Sequence, residues 1–150
     1  MSAVVPHRVR IRLSPGQRLL TLLAVVAAER LARRPPAQIQ AVLIRLRKEA
    51  RPARYTEARA ARQAVVAVSL RCASQEGCLP RSLATVLLCR ARGSWPEWSV
   101  GVRARPPFRA HAWVEAEGRM VEEDVERSYF RPLFSVPAEE GRRRNGKRRS

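Results

Sequence analysis

The stretch Cys78-Leu79-Pro80-Arg81-Ser82-Leu83-Ala84 places a cysteine at the start of an apolar, helix-forming run. Pro80 suits the first turn of a helix, where its missing N–H is not needed. Leu79, Leu83, Val86 and Leu87 then line one face, and Gly93 is placed to end the helix. Free backbone N–H groups at a helix N-terminus stabilise negative charge, so a cysteine there is held closer to thiolate than an ordinary thiol. Of the chain's three cysteines, Cys78 alone has that placement. Cys89 lies near the other end of the same helix, about 16 Å along the axis at ~1.5 Å per residue. Cys72 precedes the polar loop Ser74-Gln75-Glu76-Gly77 and reads as a small buried residue.

Upstream of this helix the chain reads as helical. Ser14-Pro15-Gly16-Gln17 is a helix start with a capping box, and Pro35-Pro36 stops that helix near Arg34. Residues 1–13 form a short strand or extended arm before it, with Val9, Ile11 and Leu13 opposite Arg8, Arg10 and Arg12. A second helix is expected from about Ala37 to Glu49, on the stripe Ile39, Val42, Leu43 and Leu46. After a break at Arg51-Pro52-Ala53-Arg54, a third begins near Thr56 and carries Val65, Val66, Val68 and Leu70.

Downstream the period switches to alternation. Trp98, Val100 and Val102 alternate with Ser99, Gly101 and Arg103, the pattern of a strand. Pro106-Pro107 interrupts it. Phe108 to Ala116 is a second strand, Glu117-Gly118 a turn, and Arg119 to about Asp124 a third. Tyr129 to Phe134 carries aromatic anchors suited to packing back on the core. Helices first and a small antiparallel sheet last argue an α+β fold, with no internal repeat. Three parts are expected: residues 1–72 as a helical core and docking part, 73–137 as the catalytic part, and 138–150 as a basic disordered tail.

Lys+Arg is 30 against Asp+Glu 13, giving a net charge of +17 and a pI near 11.7. Lys48 and Lys147 are the only lysines, so the excess is arginine. Such a surface favours acidic partners, although arginines spread along solvated helix faces need no partner at all. The true basic block is Arg142-Arg143-Arg144-Asn145-Gly146-Lys147-Arg148-Arg149, which can adhere to polyanions nonspecifically. There is no glycine-rich phosphate loop and no RNA-binding aromatic signature, so no specific nucleic acid is expected. The run Leu19 to Ala28 is too tightly bracketed by Arg18 and Glu29 to span a membrane. It resembles a signal peptide, but its basic lead-in is long and charged residues resume at once. An odd cysteine count without zinc-type pairing fits a reducing cytoplasm.

The chemistry centres on Cys78, His111 and an acid. His111 lies mid-strand in Arg109-Ala110-His111-Ala112-Trp113-Val114-Glu115 and is the only histidine outside the N-terminal tail. As a base it would take the proton from Cys78 and return it to a leaving amine. An acid would hold the imidazole in the right tautomer, and Glu122-Glu123-Asp124 follows one turn later. A two-residue turn at Glu117-Gly118 pairs Ala116 with Arg119, and hence His111 with Asp124. A turn one residue longer, or bulged, selects Glu123. At least two of the three carboxylates fit a solvated acidic strand end. The Cys78 N–H is a natural oxyanion donor, and Gln75 is a candidate for the second. Spacings of 6 and 11 among Cys72, Cys78 and Cys89 do not resemble a zinc knuckle with His111, and no metal or other cofactor is expected.

Cysteine at a helix N-terminus, then histidine, then acid on paired strands is the order that a papain-like or transglutaminase-like thiol enzyme needs. The phrase Cys78-Leu79-Pro80-Arg81-Ser82-Leu83-Ala84, the phrase Pro107-Phe108-Arg109-Ala110-His111-Ala112-Trp113-Val114-Glu115 and the turn Glu117-Gly118 together resemble the leader peptidases of lasso-peptide biosynthesis, which are transglutaminase-like cysteine peptidases. The resemblance covers about Cys78 to Asp124 strongly and the helical N-terminal part weakly. It implies a transglutaminase/papain-like fold and cleavage of the leader from a ribosomally made precursor peptide. It also implies a separate leader-recognition protein acting in trans, and an ATP-dependent cyclase that closes the freed core. The family's third member is an aspartate, and its usual spacing from the histidine lands on Glu123 here. Either glutamate replaces aspartate or the turn differs by one residue, with the spacing favouring Glu123. Two other readings stand beside this one: acyl transfer to an amine by the same residues, and a non-enzymatic basic binding or scaffold protein.

Overall fold

The computed structural model describes residues 11–123 and 127–139. The arm up to residue 10, Asp124 and the basic tail from residue 140 lie outside the described residues. Helix α1 spans Pro15–Ala32, α2 Pro36–Leu46, α3 Tyr55–Val68, α4 Leu70–Ala73 and α5 Cys78–Ala91. Strands β1 (Arg51–Pro52) and β2 (Ser94–Trp95) pair in parallel. Strands β3 (Glu97–Arg103), β4 (Ala110–Ala116), β5 (Arg119–Met120) and β6 (Phe130–Val136) form an antiparallel sheet in the order β5-β4-β3-β6. The architecture is the expected α+β, helices first and a small antiparallel sheet after.

Helix α1 starts where its capping box demands. The Gln17 N–H donates to Ser14 Oγ at 3.2 Å, and the Ser14 N–H to Gln17 Oε1 at 3.1 Å. Helix α5 is the pivot of the molecule, packing against α1, α3 and β4. Leu83, Ala84, Val86, Leu88 and Cys89 on α5 are buried together with Trp95 and Trp98. Trp98 is also tied to α5, because its Nε1–H donates to Ser82 Oγ at 3.0 Å. Trp95 Nε1–H donates to the Val136 carbonyl at 3.1 Å, fixing β6 to the same core. Burying a tryptophan removes about 150–250 Å² from water, worth a few kcal/mol before ordering costs. These rings therefore weld sheet to helix. Beyond β6, Ala138 packs against the core, and the Glu139 carboxylate accepts from the Glu49 N–H at 3.3 Å.

Several boundaries differ from expectation. The second helix stops at Leu46 rather than Glu49, because Glu49 takes the left-handed conformation (φ 63°) that a helix cannot contain. The third breaks at Ser69, whose extended backbone and capping side chain start α4. The break at Arg51-Pro52 is also a strand pair, and the loop before Cys78 is a single 3-10 turn over Gln75–Gly77. Phe108 and Arg109 are not part of β4. Tyr129 to Phe134 falls largely within β6, which pairs with β3 as the sheet's fourth strand.

The third strand is the correction that matters. The turn pairs Ala116 with Arg119 and Glu115 with Met120, as a two-residue Glu117-Gly118 turn requires. The ladder reaches Val121, whose N–H donates to the Val114 carbonyl at 2.9 Å, but the strand ends at Met120. Glu122 has φ 47°, a conformation that extended pairing cannot continue through. The register that would set Asp124 opposite His111 is therefore not propagated through the described residues.

From Leu19 to Ala28 helix α1 carries no charged side chain, and only part of that stretch is covered. Thr21, Ala24, Val25 and Ala28 face inward, while Leu19 and Leu23 are about 60% exposed and Leu22 and Val26 also face outward. Among the described residues, no helix is long and apolar enough to cross a membrane.

Candidate active site

Cys78 is the first residue of α5, entered directly from the 3-10 turn. Its backbone N–H has no acceptor within the helix it opens. The residue before it has to be glycine. A Cβ on Gly77 would lie 1.9 Å from the Arg71 carbonyl oxygen, so the turn that presents Cys78 closes only because that carbon is missing. Arg81, one helical turn on, reaches back over the same turn. Its Nη1 donates to the Cys72 carbonyl at 2.9 Å and to the Ser74 carbonyl at 3.0 Å. Gln75 stands exposed at the start of the turn.

The sheet brings His111 to this end of α5. β4 packs on α5, and His111 pairs with Gly101 of β3. The Cys78 sulfur is within hydrogen-bonding reach of the His111 imidazole and of the Ala112 backbone N–H. On the other side of the ring, His111 Nε2 lies 3.2 Å from Glu123 Oε2. With Nε2 engaged, Nδ1 is the nitrogen left to exchange a proton with Cys78. Both side chains are largely screened from water, His111 at 20% and Glu123 at 12% exposed.

Charge at the site follows from these contacts. Burial alone would push the Cys78 thiol up; the His111 and Ala112 hydrogen bonds, with the nearby His111 and Arg81 charges, outweigh it and hold the thiol below its ordinary value. Burial likewise works against charge on His111, but the Cys78 and Glu123 hydrogen bonds prevail and raise it to about 9. The arrangement therefore favours a thiolate–imidazolium pair near neutrality. The other cysteines are in the opposite state. Burial raises Cys72, and it pushes Cys89 up to about 12.

The two neighbouring glutamates separate cleanly. Glu122 turns away from the site to α3, where Arg59 Nε (2.7 Å), Arg62 Nη1 (3.2 Å) and Gln63 Nε2 (2.9 Å) all donate to it. Those bonds hold its unusual backbone and swing Glu123 toward His111. The expectation of a solvated acidic strand end fails for Glu122, which is part of a packed ion-pair network. Asp124 lies outside the described residues. Among the described residues, no three His, Cys, Asp or Glu side chains converge in an arrangement suited to a metal ion.

Some contributors were not visible in the residues. The Arg81 clamp on the preceding turn has no sequence signal beyond its one-turn spacing from Cys78. The Ala112 N–H is backbone and has no sequence signature. Phe130 stacks its ring on His111 with centroids 4.8 Å apart and planes inclined by 18°, a contact that its place in an aromatic run does not reveal.

The profile of the transglutaminase-like superfamily matches residues 21–135, a span that includes Cys78, His111 and Glu123. No curated protein and no solved structure matches the chain. Members of this superfamily are typically cysteine-based enzymes that hydrolyse or transfer acyl groups. The match extends from α1 through the helix bearing Cys78 and into β6, and on that span the chain belongs to the transglutaminase-like superfamily.

Proposed function

We propose that the protein is a cysteine peptidase that removes the leader from a ribosomally synthesised lasso-peptide precursor in the cytoplasm. The observation that carries the reading is the convergence of Cys78, His111 and Glu123 at the N-terminal end of α5. Within it, Cys78 as thiolate attacks the carbonyl at the leader–core junction. His111 gives its proton to the leaving amine and then activates the water that releases the acyl-enzyme. Glu123 orients the imidazole through Nε2 and stabilises its charged form. The Cys78 N–H is placed to donate to the oxyanion. The substrate assignment rests on the two phrases around Cys78 and His111 and their resemblance to leader peptidases.

A separate leader-recognition protein delivers the precursor, and the ATP-dependent cyclase takes the product. The exposed stripe Leu19, Leu22, Leu23 and Val26, with Arg18 and Arg30 along the same helix, supports docking of an acidic partner on α1. Raising salt should weaken such a complex, and an unchanged affinity removes that idea.

The test is a reconstitution of the full chain with the recognition protein and the precursor, followed by mass spectrometry. A leader with a new carboxylate terminus and a core with a new amine terminus support peptidase action, whereas an amide-linked product identifies acyl transfer instead. Cys78→Ala and His111→Ala should abolish cleavage. Normal cleavage by Cys78→Ala would sink the mechanism, and salt-dependent polyanion binding with no turnover in any variant would identify a basic scaffold.

A further inference from the structure

His111 is held by more than its two polar partners. On β4 it shares a face with Trp113, two residues on, and the two rings lie near-parallel with centroids 6.0 Å apart. The third ring comes from β6, which is not adjacent to β4, because β3 runs between them. Phe130 nevertheless meets both, at 4.8 Å from His111 and 5.3 Å from Trp113.

Two features of β3 allow this meeting. Gly101 is the residue paired with His111, and it contributes no side chain. A Cβ there would lie 2.8 Å from Trp113 Cη2 and 2.3 Å from the Arg131 carbonyl oxygen. The second is a shift of register between Val100 and Gly101 in the pairing of β3 with β6. Phe134 lies opposite Val100 and Pro132 opposite Gly101, so Leu133 is the extra residue. Both irregularities sit level with His111, and together they clear a space over β3 in which rings from β4 and β6 meet.

We infer that Phe130 is a positioning residue for His111: its ring stacks on the imidazole and keeps Nε2 toward Glu123 and Nδ1 toward Cys78. The physical basis is twofold. A stacked ring restricts rotation of the imidazole about its Cβ–Cγ bond, which two polar contacts alone leave soft. The face of an aromatic ring also attracts a cation, so the stack favours the imidazolium that the thiolate needs. Among the described residues, Cys78 and Glu123 are the charged groups that act on the ring, Arg81 acts on both of them, and Phe130 adds no charge of its own. The inference rests on Cys78 and His111 being nucleophile and base, and its test is built to fail separately from the leader-peptidase assignment.

Phe130→Leu keeps bulk and removes the ring, while Phe130→Tyr keeps the ring. Leu133→Ala, on an exposed side chain of the same strand, is the control. Two readouts need no knowledge of the substrate: the His111 titration by NMR and the pH profile of Cys78 alkylation by iodoacetamide. In Phe130→Leu the His111 titration should move to lower pH and the alkylation profile to higher pH, with Phe130→Tyr and Leu133→Ala matching the parent. In precursor cleavage, Phe130→Leu should lower kcat about tenfold with KM held within about twofold. Identical titrations and kcat in Phe130→Leu and the parent would overturn the inference. If Phe130→Leu does not fold, Phe130→Met, unbranched and similar in volume, carries the same comparison. Shifted titrations in a protein that cleaves no precursor would support the positioning role and reject the leader-peptidase reading.

Discussion

Cys78 and Cys89 stand on one helix, and the two ends of that helix treat the same side chain in opposite ways. At the first residue of α5, His111, the Ala112 N–H and Arg81 more than offset burial, and the thiol is held down. Near the last turn, burial dominates and Cys89 is pushed up to about 12, with Ser94 the nearest polar help. Cys89 is buried and Cys78 half-buried, yet burial raises both thiols, so burial alone does not explain opposite directions. The difference lies in what the sheet delivers. β4 brings an imidazole and a free N–H to one end of α5, while the other end meets β2 and the apolar core. Helix position makes a reactive cysteine permissible; the docked strand makes it so.

Cys78→Ala should lower turnover at least about 10⁴-fold, as loss of a nucleophile does, whereas Cys89→Ala should retain parental kcat in the same assay. Comparable losses in both would dissolve the distinction. Next in size is chemical reactivity without substrate. At pH 7 iodoacetamide should label Cys78 at least about a hundredfold faster than Cys89, measured by peptide mapping, and equal labelling would contradict the opposed shifts.

The pH dependence sharpens the account of the reactive end. The thiolate–imidazolium form exists above the lowered thiol value and below about 9, where His111 gives up its proton. Turnover should fall on the acid side as the thiolate is protonated, and above about pH 9 as the leaving group loses its proton donor. Glu123→Gln removes a charge that raises His111, so the alkaline limb should move to lower pH and kcat should fall about 10–100-fold. Glu122→Gln should leave that limb in place, because its carboxylate serves α3; a matching shift in Glu122→Gln would reassign the acid. The smallest expected effect is on the frame. Gly77→Ala forces a methyl against the Arg71 carbonyl and should cost at least about 2 kcal/mol in a denaturant titration, while an unchanged midpoint would show that the turn has room.

The helix bearing Cys78 was legible because its signals are local: a proline in the first turn, leucines on one face and a glycine beyond the end. The same holds for the capping box of α1, while the turn at Glu117-Gly118 takes the two-residue form, one of the two the residues leave open. The family spacing favours Glu123, but strand register alone does not reveal its place beside His111, because that depends on where the third strand stops. Glu122 takes a left-handed backbone with no glycine or asparagine to announce it. Its cause is three donors on α3, about sixty residues away in the chain. Phe130 escaped for a similar reason. Its contact with His111 needs a shift of register at Gly101, and alternation patterns carry no trace of a bulge. Local chemistry can be read from adjacent residues, but geometry imposed by distant partners cannot.

The thiol and its imidazole come from α5 and β4, with β2 and β3 between them in the chain. Neither helix nor strand alone creates the reactive pair, and an unfolded chain carries three ordinary thiols. The lowered thiol is therefore latent during synthesis and appears only when β4 closes onto α5. Its alkylation rate is a clock for that closure: in refolding experiments, rapid labelling of Cys78 should emerge together with native tertiary structure, later than the helices themselves.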